Sequence, residues 1–480
     1  MTVLKETIQV KRPATEAFAY LADFTTTTEW DATAREAAKL TPGPIATGTR
    51  FLVTCAMPVG SVDIEYEVAE LDAPRKIVLR GRSRFFDIED TITFTESGGT
   101  TRIDYQAQFD FKPLIRPFVG AMEPGLRRMG KASLKGLKQA LDDRFPTPKL
   151  SGEDATADKL VLPKLARFTR LGYLRGRKRW NPVSADLRGK HVVITGSSTG
   201  LGFASAMELA HRGADLTLVM RNKARAEEVK RDILAETGNG NVALEIADLA
   251  LLAEVDALVS RLLERGRPID VLINNAGALY NEWQATSEGI ERTVALLLIS
   301  PYRLTLGLKP LLAAAGDARV INVVSGGMYS QKLSVDRLVA KEGEEFSGAT
   351  VYARAKRALM VVTRHWARAW RQDGIVVNAM HPGWADTPGV KTSLPTFYAV
   401  TRFALRSPDE GADTIVWLAA ATEAGKLSGQ LLLDREPQTQ YLLKGTEETA
   451  AERKKLLKFL DAYAPTAGAT AASMPRAKAS

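Results

Sequence analysis

Tyr352 and Lys356 stand four apart in Val351-Tyr-Ala-Arg-Ala-Lys356. On a helix, residues i and i+4 share a face, so a phenol and an ammonium can point into one pocket. Upstream, Thr195-Gly-Ser-Ser-Thr-Gly-Leu-Gly202 follows directly on the apolar run His191-Val-Val-Ile194. A glycine-rich turn between a strand and a helix cradles phosphate. Its backbone N–H groups face the anion, and the missing side chains allow close approach. Together the two motifs predict a nicotinamide oxidoreductase in which a tyrosine moves the proton. Each pattern recurs by chance; their order and separation carry the reading.

Positioning these groups requires a scaffold, and the chain from 189 to 445 reads as one. Strand-like runs at His191–Thr195, Asp215–Met220, Val242–Ile246, Val271–Ile273, Val320–Val324, Ile375–Ala379 and Leu431–Leu433 alternate with helical stretches. Such alternation predicts a doubly wound parallel α/β sheet of Rossmann type, with ligands at the carboxyl ends of the strands. The polar motifs fall at those ends. Gly196, Ser198, Gly200, Leu201 and Gly202 form the first turn, with glycines in G-x-x-x-G-x-G spacing. Arg221 ends the second strand with Lys223 and Arg225 nearby and no acid. An acid there would bind a ribose 2′-hydroxyl, whereas arginine accepts a 2′-phosphate, so NADP(H) is expected over NAD(H). Asp248 and Leu249 follow the third strand and are expected to border the adenine. Asn274-Asn275-Ala276-Gly277 follows the fourth, Ser325 the fifth, and Pro382-Gly383-Trp-Ala-Asp-Thr387 the sixth.

With these residues in view, 189–435 resemble the short-chain dehydrogenase/reductase family. Gly326-Gly-Met328, Gln331-Lys-Leu333, Phe346-Ser-Gly348, His381-Pro-Gly-Trp-Ala-Asp-Thr-Pro-Gly-Val390 and Leu433-Asp-Arg-Glu-Pro437 are similar to its member 12-like branch. The resemblance implies that Tyr352 is the general acid when a carbonyl is reduced and the base in reverse. It implies that Lys356 binds the nicotinamide ribose and favours the tyrosinate, since a nearby positive charge lowers a phenol's pKa. Ser325 would position the substrate oxygen and Thr387 would hold the carboxamide. One departure stands out: the family's helical asparagine, whose backbone helps hold a relay water, aligns with Leu297. The resemblance also makes a homo-oligomer the expected assembly.

Residues 1–146 read as a separate α+β unit. Val3 to Val10 alternate, Ala14–Leu21 read as a helix opened by Pro13, and strand-like runs fill 51–111. Ile64, Tyr66 and Val68 form one apolar face; Ile103, Tyr105, Ala107, Phe109 and Phe111 form another. Gly98-Gly99 marks a turn, and a helix closes the unit from about Pro113 or Pro117 to Leu141. This order resembles the START and polyketide-cyclase (SRPBCC) superfamily, a helix-grip fold, which implies a hydrophobic ligand in a cavity under the last helix. A filled core is the competing expectation.

Between the units, 147–188 form a basic connector. From 149 to 190 there are 11 Lys/Arg against 4 Asp/Glu, which accounts for +7 of the chain's net +9. Leu165, Phe168, Leu171 and Leu174 repeat at helical spacing. They predict a helix that docks on a domain, with an anionic membrane surface contacted through 164–179 as the alternative. No aromatic platform accompanies the charge, so no nucleic-acid partner is expected. The last segment, 446–480, reads as a helix over Thr446–Ala462 followed by a disordered tail. The single cysteine, Cys55, excludes an intrachain disulfide, and the four histidines lack ligand spacing, so no metal is expected. No secretory signal or membrane span is read, and a cytoplasmic, at most membrane-associated, location follows.

The functional expectation is an NADP(H)-dependent oxidoreductase acting on a lipophilic alcohol/carbonyl pair. The alternatives are a non-catalytic dinucleotide- and lipid-binding protein, for which Leu297 would be the trace, and a cyclase/aromatase–ketoreductase fusion. The apolar residues of 388–407 (Pro388, Val390, Leu394, Pro395, Phe397, Tyr398, Phe403) are expected to form a lid over the substrate pocket.

Overall fold

Period-two alternation runs through the first part of the chain and continuous apolar runs through the second, and the two patterns build different sheets. The computed structural model describes residues 2–465, apart from 32, 42–43, 57–60, 114–118, 143–166, 179, 184, 341, 344, 442–445 and 447. The chain divides into two compact units, 1–151 and 152–480.

In the first unit, strands β1 (Thr2–Val10), β2 (Ala34–Lys39), β3 (Arg50–Ala56), β4 (Ser61–Asp72), β5 (Lys76–Arg82), β6 (Phe86–Ser97) and β7 (Thr100–Phe111) form one antiparallel sheet. Its order is β1-β7-β6-β5-β4-β3-β2. Alternation sets the inward face: Val62, Ile64, Tyr66 and Val68 from β4, and Phe86, Ile88, Asp90, Ile92 and Phe94 from β6, are buried. Helix α1 (Ala14–Ala22) and the long helix α2 (Val119–Leu141) cover that face through Phe18, Leu21, Leu134, Leu137 and Leu141. Pro13 caps α1, as its fixed φ allows. Gly98 and Gly99, with φ of 58° and 75°, make the two-residue turn that joins β6 to β7. The helix-grip architecture expected from the sequence is present. The inward face carries a dense apolar core, and one residue on it, Asp90, is an acid.

In the second unit, strands β8 (His191–Thr195), β9 (Asp215–Met220), β10 (Val242–Ile246), β11 (Val271–Asn274), β12 (Ala318–Val323), β13 (Ile375–Met380) and β14 (Leu431–Leu433) are parallel. They lie in the order β10-β9-β8-β11-β12-β13-β14, with β15 (Glu436–Gln438) added antiparallel at the edge. Successive residues feed opposite faces. Val193 joins the core beneath the helices Leu252–Arg265, Arg292–Gly307 and Gly348–Ala369, while Val192 and Ile194 join the core beneath Gly200–His211, Lys223–Thr237 and Pro408–Ala420. A strand buried on both faces has no polar positions to spare, which explains its unbroken apolar run. The strand order reverses between β8 and β11, so a crevice opens at their carboxyl ends.

The edge strand β15 was not anticipated. Asp434 and Arg435 adopt φ of 55° and 60°, a two-residue hairpin turn without glycine. Among the described residues no single helix is long and apolar enough to cross a membrane. The C-terminal helix runs Ala450–Asp461, capped by Thr449, whose hydroxyl accepts from the Glu452 N–H. The tail expected to be disordered, 465–480, lies outside the described residues from 466 onward.

Of the connector, the described part begins at Arg167. The predicted apolar stripe divides. Phe168 is buried, but it precedes the helix Arg170–Arg177 rather than belonging to it. Leu171 is 74% exposed and Leu174 37% exposed, while Tyr173 is buried in their place. The chain bends at Thr169, so a helical register projected through it from Phe168 fails. Leu165 lies outside the described residues.

Candidate active site

The crevice at the switch point is built by backbone approach. Gly196 has φ +69°, and a Cβ there would sit 2.7 Å from Ala276 Cα. At Gly202 a Cβ would lie 2.3 Å from the Gly196 carbonyl oxygen and 2.4 Å from Asn275 Nδ2. Any side chain would therefore fill the turn or push its walls apart. Asn275 closes the two loops together. Its Nδ2 donates to the Thr195 and Gly196 carbonyls at 2.9 and 3.0 Å, and its N–H and that of Ala276 donate to Thr195 Oγ1, each at 3.0 Å. Gly200 begins the following helix against Thr387, whose Cγ2 would be 3.3 Å from an added Cβ. The loops after β8, β11 and β13 thus meet at one turn. Pro382 joins them through Leu201, since both line the space of the side chain that Gly411 lacks.

This turn fits a dinucleotide. Its glycines hold open a cradle at a helix N-terminus, and the Ser197 hydroxyl within it is fully buried with no hydrogen-bond partner. Arg221 lies at the end of β9 with its side chain 65% exposed. It is 3.9 Å from Asp248, which is also 3.8 Å from Arg292. Arg225 donates to the Ser198 carbonyl at 3.1 Å and so ties the turn to the base of the next helix. Leu249 is buried in the core beside Asp248.

The helix Gly348–Ala369 carries Tyr352 and Lys356. Ser347 caps it, accepting from the Thr350 N–H, and Gly348 abuts the Tyr280 carbonyl so closely that no Cβ could be accommodated. Buried polar groups fix its register against the sheet. Asn274 Nδ2 donates to Asn322 Oδ1 at 2.8 Å and to Thr305 Oγ1 at 2.9 Å; Asn322 Nδ2 donates to Thr363 Oγ1 at 2.9 Å. Arg357, fully buried, donates to the Met328, Gln331 and Gln440 carbonyls. Asn274 belongs to a motif read from the sequence; Thr305, Asn322, Arg357 and Thr363 were not singled out, because nothing local marks a polar side chain as internal.

Ser325 follows β12; its Oγ accepts from the Gly327 N–H at 3.3 Å, and its side chain sits beside the Tyr352 hydroxyl. Lys356 Nζ lies 5.8 Å from the centre of the Tyr352 ring and donates to the Val323 carbonyl at 2.7 Å. The three groups are brought together as expected, but their electrostatics differ from the expectation. Burial raises the Tyr352 pKa above its ordinary value, partly opposed by Ser325, and Lys356 exerts no resolved pull on it. Burial also lowers the Lys356 pKa to about 7. Desolvation at this depth disfavours the ammonium.

Leu297 lies in the helix that follows β11. It is fully buried, and its Cδ2 would be 3.1 Å from a Cβ on Gly277, a position that is also 3.8 Å from Lys356 Nζ. The helix around it, Ala295–Ile299, is a π-turn. Such turns free backbone groups and recur at functional sites. A cavity of about 10 Å³ lies here, lined by Leu297, Lys356, Asn274 and Ser300 among others, and Asn274 Oδ1 has no partner. That is close to the room one water requires. A larger concavity of about 380 Å³, lined by His191, Asp215 and Asn241, lies at the amino ends of the strands and away from these groups.

Behind the loops after β12 and β13 the connector contributes directly. Phe168 packs edge-on to His381 at 4.8 Å, stacks 6.3 Å from Tyr329 and touches the place a Gly326 side chain would occupy. Its carbonyl accepts from the Trp384 N–H at 2.7 Å. Arg406, in a buried bidentate pair with Asp434, also donates to the Arg167, Phe168 and Thr169 carbonyls. The φ of Gly383 is +71°, and a Cβ there would lie 2.6 Å from both Arg406 Nε and the Phe168 carbonyl oxygen. Burial, with Arg406 and Arg167 nearby, depresses the His381 pKa to about 3, so this histidine is neutral. In the segment expected to form a lid, Phe397 packs on Trp384 at 5.2 Å, but Phe403 is 85% exposed and does not face inward.

Comparison with known proteins gives the following matches. A family model described as short chain dehydrogenase matches residues 190–396. One described as polyketide cyclase / dehydrase and lipid transport matches residues 1–142. Dehydrogenase/reductase SDR family member 12 of Bos taurus is 40% identical over 304 residues, covering 62% of this chain and 95% of that protein. Retinol dehydrogenase 13 of Homo sapiens is 30% identical over 257 residues, 52% of this chain and 77% of that protein. Among solved structures, an L-sorbose reductase from Gluconobacter frateurii, complexed with NADPH and L-sorbose, is 28% identical with a TM-score of 0.43. It covers 54% of this chain and 99% of that one.

Proposed function

The chain belongs to the short-chain dehydrogenase/reductase family, with a polyketide-cyclase-type domain ahead of the dehydrogenase unit, and from that premise we propose an NADP(H)-dependent oxidoreductase that interconverts a lipophilic alcohol and its carbonyl. The observation that carries the proposal is the meeting of Ser325, Tyr352 and Lys356 beside the Gly196–Gly202 cradle. A retinol dehydrogenase among the relatives supports a lipophilic substrate. Arg221, exposed and only loosely paired, supports a 2′-phosphate on the dinucleotide.

A dinucleotide held by the Gly196–Gly202 turn would supply or receive the hydride. Every other part of the reaction falls to side chains of this chain. In reduction, Tyr352 Oη gives its proton to the carbonyl oxygen; in oxidation it takes the alcohol's proton. Ser325 Oγ, next to that phenol, holds the same oxygen in place. Burial holds the phenol's pKa up, which keeps it protonated until an oxygen with developing charge lies against it. Lys356, with a pKa near 7, gains or loses its own proton at little cost and so suits a relay to the Tyr352 hydroxyl. The small cavity beside Lys356 and Asn274 offers a water position in place of the one a helical asparagine would support. The N-terminal unit is proposed to hold a hydrophobic ligand.

The test is NADPH oxidation with a panel of hydrophobic ketones and aldehydes. Tyr352→Phe is expected to lower turnover by about 10²–10⁴-fold with NADPH affinity unchanged; unaltered turnover in the variant would remove the assignment. A second reading, a dinucleotide-binding protein without turnover, is favoured by one observation: the fully buried Leu297 against Gly277. Leu297→Asn separates the two. A faster enzyme supports the relay alignment, whereas an NADPH-binding wild type and variant that are both inert favour the second reading.

A further inference from the structure

Asp90 lies on the inward face of β6 between Ile88 and Ile92, and it is 2% exposed. Across the sheet it is opposite Leu79 on β5 and Ala107 on β7. The small side chain of Ala107 occupies one flank. On the other, Tyr66 crosses from β4: a Cβ on Gly81 would lie 2.7 Å from Tyr66 Cε1 and 2.5 Å from Ile88 Cγ2, so only glycine lets that ring lie there. The hydroxyls of Tyr66 and Tyr105 face the Asp90 carboxyl closely enough to oppose the rise that burial imposes on its pKa. Its Oδ1 nevertheless has no partner. Nearby, Asp31 Oδ1 already accepts from Ser133 Oγ at 2.9 Å and from the Thr33 N–H at 2.8 Å. Trp30 packs edge-on to Tyr105 at 6.2 Å, which closes the cluster from the helix side.

An acceptor left bare inside an apolar face is costly, commonly by 1–3 kcal/mol and more when charged. Filling the same position with leucine or isoleucine, as its neighbours along the strand do, would avoid that cost. Two tyrosines from two other strands are instead arranged around the carboxyl, and the sheet carries a glycine to admit one of them. The arrangement makes sense when a third donor arrives from a bound molecule. It also disfavours an anion, because Asp31 and Asp90 stand on the same side.

We infer that Asp90, with Tyr66 and Tyr105, is the recognition point of a ligand site in the N-terminal unit that takes a neutral lipophilic alcohol and discriminates against the corresponding ketone and against carboxylates. The hydroxyl of the alcohol donates to Asp90 Oδ1; a ketone has no hydrogen to donate. This deepens the proposed function and rests on its claim that the unit holds a hydrophobic ligand. It assigns that unit to the reduced member of the alcohol/carbonyl pair, so the two halves of the chain would handle one molecule at two stages.

The experiment uses the full-length protein without added dinucleotide and measures, by calorimetry, the binding of 2-decanol, 2-decanone and decanoate. It is run at pH 8.5, above the value of about 7 to which burial raises the Asp90 carboxyl, so that the carboxylate accepts and does not donate. The groups facing it, Tyr66, Tyr105, Asp31 and Cys55, are the same in all three titrations. The alcohol should bind about tenfold or more tightly than the ketone, the effect of one hydrogen bond to a charged group, and decanoate more weakly still. Asp90→Asn, which offers both an acceptor and a donor, should erase the preference while retaining binding. If that variant does not fold, Tyr105→Phe should narrow the preference by loosening the same carboxyl. Equal affinity for alcohol and ketone in the wild type overturns the Asp90 assignment and leaves the hydrophobic-ligand reading standing. Binding of none of the three overturns both. A preference that survives Asp90→Asn or Tyr105→Phe belongs to another site and also overturns the assignment.

Discussion

At the scale of single residues, charge and burial decide what each group can do. Arg221 is exposed, and its carboxylate partner is 3.9 Å away, at the limit of an ion pair. Such a pair contributes little, so the guanidinium is available to a phosphate. Arg221→Asp is expected to raise the Kd for NADPH by about 10–100-fold, as loss of a charge-assisted contact does, with NADH unaffected or tighter. Fluorescence titration of both coenzymes checks this, and an equal change in the two would show that Arg221 only supports the fold. Arg221 was legible in the sequence because its meaning depends on strand position. Asn275, Ser325 and Tyr352 were legible for the same reason. Arg357, Asn322 and Asp434 were not, because their partners, a carbonyl, a hydroxyl and a guanidinium, lie far away in the chain.

At the scale of elements, the described part of the connector, from Arg167 onward, proves to pack on the dehydrogenase unit. Phe168 fills the space behind Gly326 and His381, and Arg406 grips the carbonyls of 167–169 while Asp434 balances its charge. Arg435 extends the same clamp, pairing with Asp413 and lying over Trp180. The glycine-free hairpin turn at Asp434-Arg435 therefore sends one side chain to each of two anchors. Its strain is offset by those ion pairs. Phe168→Ala should cost about 3 kcal/mol or more, as for other buried phenylalanines, seen as a lower thermal midpoint that NADPH partly restores. A variant as stable as the wild type would mean that the segment merely lies on the surface. Sequence periodicity pointed to a helix with Phe168 on its stripe. The bend at Thr169 broke that register, and hydrogen bonds from Arg406, more than two hundred residues away, set the bend.

At the scale of the whole molecule, two sheets with separate cores should melt separately. Differential scanning calorimetry is expected to resolve two transitions. NADPH at about 100 times its Kd should stabilise only one of them, by about 2.7 kcal/mol. The other should carry the pH signature of Asp90. Burial, against the tyrosine hydrogen bonds, raises its carboxyl from 3.8 to about 7, with Asp31 and Glu89 adding to the rise. A group whose folded pKa is raised contributes stability below its unfolded pKa and loses it as pH climbs through the folded value. The first unit should therefore lose stability between about pH 4 and 7, by an amount on the order of 1–4 kcal/mol, and Asp90→Asn should flatten the trend. Tyr66, Tyr105 and Cys55 stay neutral throughout that window, since burial raises all three. A wild-type midpoint that does not move over the window would sink the prediction.

The sequence by itself determined the chemistry and its address: a tyrosine and a lysine one helical turn apart, a glycine turn after a strand, and polar motifs at strand ends. These are local patterns, and backbone periodicity converts them directly into geometry. The tertiary structure alone decided the rest. It turned Lys356 toward the Val323 carbonyl and placed Leu297 against Gly277. It drove Phe168 under the active-site loops and enclosed Asp90 between two tyrosines. Each of these depends on which distant residues become neighbours and on how much water they exclude, and burial moves the pKa of Asp90 and Lys356 away from the value their residue type alone would have.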